Sequence, residues 1–192
     1  MTHRLIVMGK QGAGKGTQCL RLTERYNIPH ISTGDMLRSA VAAGTELGQR
    51  AKSVMDAGDL VPDDLMMSIV DERLRESDAS EGFVLDGFPR TSAQAEWLDG
   101  ALAPGGIDLA ISIDVPDEIV VARMLARGRE DDTEDAIRRR LDLYSEQTAP
   151  LLDHFAAAER LISIDGFGDE DTVEARLAEA IDTRLENPGG NP

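Results

Sequence analysis

Residues 4–17, RLIVMGKQGAGKGT, constrain the fold more than any other stretch. An apolar, β-branched run leads into closely spaced glycines and a lysine, and KGTQCLRLTERY follows with Leu20, Leu22 and Tyr26 among helix-forming neighbours. That is strand, phosphate loop, helix. Gly9, Gly12, Gly14 and Gly16 let the backbone curl with its N–H groups inward, the helix start adds its positive end, and Lys15 reaches the β- and γ-phosphates of a nucleoside triphosphate. The common form of this loop places Ser or Thr directly after the lysine to hold magnesium. Here Gly16 stands there and the hydroxyl comes one residue late, at Thr17. The metal therefore needs another anchor.

Further buried-strand candidates recur at 30–32 (HIS), 83–86 (FVLD), 109–115 (LAISIDV) and 161–165 (LISID), and segments with helical spacing such as 62–77 and 91–102 separate them. This alternation predicts an α/β, three-layer fold, a five-stranded parallel sheet with helices on both faces. A length of 192 residues supports one core with small insertions. Only the tail ENPGGNP reads as low-complexity, and it is expected to fray.

Lys and Arg number 20 against 36 Asp and Glu, a net charge of -16, so most of the surface repels nucleic-acid backbones and anionic membranes. Neither is an expected partner. The acidity reads first as solubility and second as adaptation to salt. A lone Cys19 has no internal disulfide partner, and no Cys-x-x-Cys pair offers structural zinc. Cys19 reads as a small packing residue of a reduced, cytoplasmic protein. No apolar run approaches the ~18 residues of a membrane span, and no signal peptide is legible.

Any bound phosphate must then meet a local positive cluster, and three stretches supply one. STGDMLR puts Thr33 and Asp35 at an expected helix start with Arg38 one turn in; LDGFPRT puts Asp86 at a strand end with Arg90 beyond, and Gln94 follows on the next helix. Between 123 and 140, Arg123, Arg127, Arg129, Arg138, Arg139 and Arg140 crowd together. Arg123 and Arg127 share a helix face, Gly128 reads as a hinge, and Thr133 with Glu134 and Asp135 reads as a fresh helix start. Arg139 is expected to pair on the surface with Asp131, Asp132 or Asp142. Arginine suits phosphate because its planar fork grips two oxygens.

Taken in order, GAGKGTQ, STGDMLR, AGDLVPDDL, GFVLDGFPRT and RGREDD…RRRL…Y…TAPL make the chain, from residue 5 to about 185, resemble the adenylate kinases, which interconvert ATP and AMP with two ADP. The resemblance implies one domain over 1–192: a core (1–31, 62–125, 133–192), an AMP-binding insertion (32–61) and a short lid (126–132) without the zinc cysteines of longer lids. It implies that Gly12, Ala13, Gly14, Lys15, Gly16 and Thr17 cradle ATP phosphates, with Arg123, Arg127 and Gly166 beside the rest of ATP. Thr33, Arg38, Asp59, Leu60, Val61, Gly87, Phe88, Pro89, Arg90 and Gln94 would hold AMP, and Arg129 and Arg140 would span the transferring group. Thr33 stands where related UMP/CMP kinases often carry Ala, which favours AMP. Magnesium would be held by nucleotide and water, with no direct protein ligand and Asp86 acting through water. A monomer is the family expectation.

Phosphoryl transfer through a loose transition state calls for alignment and charge rather than a general base. His3, His30 and His154 receive no catalytic role, and Lys10 reads as solvent-facing. A GTP-binding switch would carry Asp-x-x-Gly and Asn-Lys-x-Asp, which are not in place. A nucleotide binder without catalysis would have little use for Lys15, Arg38, Arg90, Arg129 and Arg140 together.

Overall fold

The first strand divides its residues between two cores. In β1 (His3–Met8), Leu5 and Val7 join one buried cluster while Ile6 and Met8 join another. A strand whose alternate side chains are all apolar can be satisfied only in the middle of a layered fold. The computed structural model, which describes residues 3–186, shows that arrangement. The expected fraying of the tail concerns 187–192, outside the described residues.

β2 (His30–Ser32), β3 (Gly82–Asp86), β4 (Leu109–Asp114) and β5 (Leu161–Asp165) complete an all-parallel sheet in the order β2-β3-β1-β4-β5. The five strands fall where alternation and apolar runs predict them. On one face pack α1 (Lys15–Tyr26), α6 (Asp117–Arg127), α7 (Glu134–Leu143) and α9 (Glu170–Glu186), contributing Leu22, Val120, Met124, Ile137 and Leu177. On the other lie α2 (Thr33–Ala42), α3 (Glu46–Ala57), α4 (Asp63–Leu74), α5 (Ser92–Ala101) and α8 (Pro150–Ala157), through Leu37, Ala51, Val70, Leu98 and Phe155. The chain leaves β1 toward β2 and leaves β4 toward β5, in opposite directions along the sheet. Such a switch point opens a crevice beyond the strands' carboxyl ends, and the glycine loop opens onto it.

Three junctions matter for what borders that crevice. α2 and α3 cross at Gly48, where a Cβ would lie 2.1 Å from the Ala40 carbonyl oxygen, so only hydrogen fits. α6 stops at Gly128, left-handed at φ 63°, and α7 starts behind Thr133, whose hydroxyl accepts from the Ala136 amide at 3.2 Å. α7 then runs through a π-helical turn, Tyr144–Thr148, into α8. The expected helix start is where the sequence puts it: α2 begins at Thr33, and Ser32 caps it, its hydroxyl accepting from the Asp35 amide at 3.3 Å. Ser32 ends β2 with extended backbone and so has the cap geometry, while Thr33 is already helical. No helix among the described residues is long and apolar enough to cross a membrane.

Candidate active site

The glycine loop is packed as well as curled. A Cβ on Gly9 (φ 141°) would lie 2.6 Å from the Ile113 carbonyl of β4, and one on Gly12 (φ 84°) 2.7 Å from the Val120 carbonyl of α6. Lys15, the first residue of α1, folds over the loop and donates to the Gly9 and Lys10 carbonyls at 2.8 and 2.9 Å. Burial lowers its pKa; Asp86 opposes that shift and Arg90 adds to it. Lys10 is not simply solvent-facing: its ammonium donates to the Val115 carbonyl at 3.1 Å and pairs with Asp117 at 2.5 Å. The loop's approach to β4 and α6 puts acceptors within its reach, so Lys10 braces the loop.

Asp86 ends β3 opposite Val7 of β1 and Ser32 of β2. Its carboxylate is buried, yet one oxygen would stand 3.9 Å from a Cβ on Gly16, so the missing side chain there leaves it facing the loop. Burial alone would raise its pKa, but His30, Lys15 and Arg90 outweigh burial and hold it below the ordinary carboxylate value. His30 Nε2 lies 3.4 Å from Asp86 Oδ2. That neighbour was not expected from the sequence. His30 and Ser32 share a face of β2 by period-two alternation, and the β2–β3 register sets Ser32 opposite Asp86.

Around Arg90 the contacts interlock. Its Nε donates to the Gly87 carbonyl at 2.8 Å, and the Thr33 hydroxyl, fully buried, donates to the same carbonyl at 3.0 Å. Gln94 Oε1 accepts from the Arg90 amide at 2.7 Å, while its Nε2 donates to Asp63 at 2.7 Å. Thr148, in the π-helical turn, donates to the Arg90 carbonyl at 2.9 Å. Asp63 and Thr148 are supports to which the sequence reading gave no role, although AGDLVPDDL contains the first and TAPL opens on the second. Burial is the first cause that depresses the Arg90 pKa, and the nearby Arg140 and Arg38 add to it.

Arg127, Arg140, Arg38 and Arg139 are held by carboxylates. Arg127 makes two bonds of 2.9 Å to Asp132, and Arg140, buried, donates to Asp132 at 3.0 Å, to Asp131 and to the Met55 carbonyl at 3.1 Å. Arg38 pairs with Asp35 at 2.5 Å. Arg139 takes the surface pairing expected of it, but with Asp59 at 2.7 Å; Asp131 and Asp132 face inward to the other two arginines because Arg140 points into the fold. Among the described residues Arg129 has no ion pair or hydrogen bond, and burial, Arg38 and Arg127 all push its pKa down.

These residues border two adjoining cavities. The larger, about 410 Å³, is lined by Gly12, Gly14, Lys15, Gly16, Thr17, Arg123, Arg127 and Arg129, and also by Asp86 and His30. The smaller, about 70 Å³, is lined by Thr33, Asp59, Leu60, Val61, Phe88, Gln94 and Arg140. Gln11, Gly34, Arg38, Gly87, Arg90 and Asp131 border both. Pro89 lines a neighbouring recess with Tyr144 and Thr148. Ala13 is buried in the core, and Gly166 sits beyond β5, its amide donating to Asp114 at 2.8 Å. The arrangement suits two anionic ligands meeting across a shared wall of arginine.

Comparison with known proteins agrees with that geometry. The family model described as adenylate kinase matches residues 7–160. An adenylate kinase of Stenotrophomonas maltophilia is 50% identical, covering 93% of this chain and 98% of its own length. Adenylate kinase 1 of a Synechocystis species is 50% identical over 97% of this chain and 96% of its own. An adenylate kinase of Corynebacterium glutamicum is 48% identical over 93% and 98%. A match of that extent along both chains, over a parallel sheet with a glycine loop at its switch point, leaves one assignment: the chain belongs to the adenylate kinase family.

Proposed function

We propose that the larger cavity takes ATP and the smaller one AMP, in the family's reversible transfer ATP + AMP ⇌ 2 ADP. The observation that carries this reading is the wall common to both cavities: Arg38 and Arg90, with Gln11, Gly34, Gly87 and Asp131 beside them, stand where two phosphate groups would meet. The bond between the β-γ bridging oxygen and the γ-phosphorus breaks as an AMP phosphate oxygen bonds to that phosphorus. Lys15 follows the charge on the migrating group, Arg90 and Arg38 hold the acceptor phosphate, and Arg129 and Arg140 close over the transferring oxygens. Arg140 must first exchange Asp131 and Asp132 for phosphate. Arg123, Arg127 and the loop at Gly166 attend the rest of ATP; Thr33, the 59–61 backbone, the 87–90 turn and Gln94 attend AMP.

The residues present fit magnesium. Asp86 is a buried carboxylate held below its ordinary pKa and facing a loop that lacks a side chain at Gly16, as an anchor acting through water requires. Bound magnesium neutralises β- and γ-phosphate oxygens. A core (1–31, 62–125, 133–192) carrying an insertion at 32–61 and a short lid at 126–132, acting as a cytoplasmic monomer without structural zinc, is the form this reading takes. A coupled assay with ATP and each of AMP, GMP, CMP and UMP tests it. AMP is expected to be preferred by roughly tenfold or more in kcat/KM, and Lys15→Ala to lose about 100-fold in turnover. Equal turnover of CMP or UMP would overturn the acceptor assignment, and near-normal turnover of Lys15→Ala the donor assignment.

A further inference from the structure

Behind the glycine loop, three side chains with metal-binding atoms converge on one point. Cys19 lies one helical turn after Lys15 on α1, His30 opens β2 and Asp86 ends β3. One ligand atom from each lies within 4.8 Å of the others. His30 Nε2 and Asp86 Oδ2 are 3.4 Å apart, close to the about 3.3 Å that separates two tetrahedral ligands with bonds of about 2.0 Å. His30 Nε2 is buried, and the neighbouring Asp86 carboxylate, at 3.4 Å, lies too far or too poorly aligned for a well-formed hydrogen bond, although the imidazole still favours ionised Asp86. Buried nitrogens are rarely left so, and this one is aimed at the cluster. His30 and Asp86 line the larger cavity, so an ion entering there meets them first and the thiol behind them. Tetrahedral bonds of about 2.3 Å to sulfur and about 2.0 Å to nitrogen or oxygen set these atoms about 3.5 Å apart, so drawing the sulfur in requires at most about 1.3 Å of further approach, less than a χ1 change supplies.

We propose that Cys19, His30 and Asp86 form a second cation site, for a thiophilic divalent ion such as Zn²⁺, through which that ion inhibits the enzyme. The donor set of one sulfur, one imidazole nitrogen and one carboxylate oxygen selects zinc or cobalt over magnesium, which takes oxygen and demands an octahedron. Coordination exchanges the Cys19 S–H bond for a sulfur–metal bond, the proton passing to buffer. Thiolate and carboxylate together balance the ion's two charges, and the nearby Lys15 ammonium is already engaged by the Gly9 and Lys10 carbonyls. The fourth position opens to the cavity. Inhibition follows because a coordinated Asp86 no longer serves magnesium's water shell; this consequence, unlike the site itself, rests on the role proposed above for Asp86.

Cobalt titration of the nucleotide-free enzyme tests the site directly. One Co²⁺ per chain is expected to give a near-ultraviolet thiolate-to-cobalt band in the wild type and none in Cys19→Ala. His30→Gln is expected to bind Co²⁺ more than tenfold more weakly, as loss of a ligand costs at least what loss of its support does. Circular-dichroism melting establishes that each variant is folded; if His30→Gln is not, the cysteine variant decides. In the coupled assay Zn²⁺ is expected to inhibit wild type at concentrations more than tenfold below those that inhibit Cys19→Ala, whose basal turnover is unchanged. Absence of the band in wild type overturns the site. A band with equal zinc sensitivity of the two enzymes keeps the site and overturns the inhibition, leaving the donor and acceptor assignments untouched.

Discussion

Arg129, unlike Arg38, Arg127 and Arg140, has no carboxylate ion pair among the described residues, while burial and two neighbouring arginines disfavour its charge. A cation left in that state is stabilised when an anion arrives. Arg129→Ala is therefore expected to lower kcat by about 100-fold or more, the scale of an arginine that meets a transferring phosphoryl group, with AMP affinity nearly unchanged. Arg38→Ala, which removes the contact proposed with the acceptor phosphate, is expected to raise the Kd for AMP by roughly tenfold. Calorimetry for AMP and a coupled assay for turnover separate the two; equal losses of AMP affinity with little change in kcat would refute the assignment of Arg129. At this scale the sequence revealed side chains fixed by local spacing, such as Lys15 after its glycines and Arg90 after Asp86. It hid those fixed by distant partners. Asp63 supports Gln94 from another helix, and the nearness of His30 to Asp86 depends on a strand register that no short motif contains.

Elements were legible where one periodicity ran uninterrupted: all five strands and the helices at 63–74 and 92–101 lie within a few residues of their expected places. The junctions were not, because glycine looks alike in sequence whether it is a crossing point or a spare position. Gly48 and Gly100 are both helical, but a Cβ on Gly48 meets the Ala40 carbonyl at 2.1 Å and one on Gly100 meets nothing within 4 Å. Gly48→Ala is expected to destabilise the protein by about 1–3 kcal/mol by forcing α2 and α3 apart. Gly100→Ala is expected to stabilise it by about 0.5–1 kcal/mol through helix propensity. Urea unfolding of both variants checks the pair, and shifts of the same sign would disprove the close crossing. The π-helical turn between α7 and α8 was likewise invisible, since one residue inserted into a helical repeat carries no residue type of its own.

For the molecule as a whole, composition announced the charge but not its disposition. A net -16 on 192 residues repels itself, and the repulsion is screened as the Debye length falls from about 30 Å at 0.01 M salt to about 3 Å at 1 M. The melting temperature is expected to rise between low and molar KCl. A flat profile in a thermal scan would leave solubility as the reason for the acidity. The same acidity has reached inside the site, where Arg38, Arg127 and Arg140 already hold Asp35, Asp131 and Asp132. If nucleotide binds at these three arginines as proposed, its binding is an anion exchange, one oxyanion evicting another. Affinity there measures the margin of phosphate over carboxylate, and a dianion wins that contest where chloride or a singly charged metabolite does not. On that reading the resident carboxylates would act as a filter on what enters, and departure of a product would leave the arginines paired again.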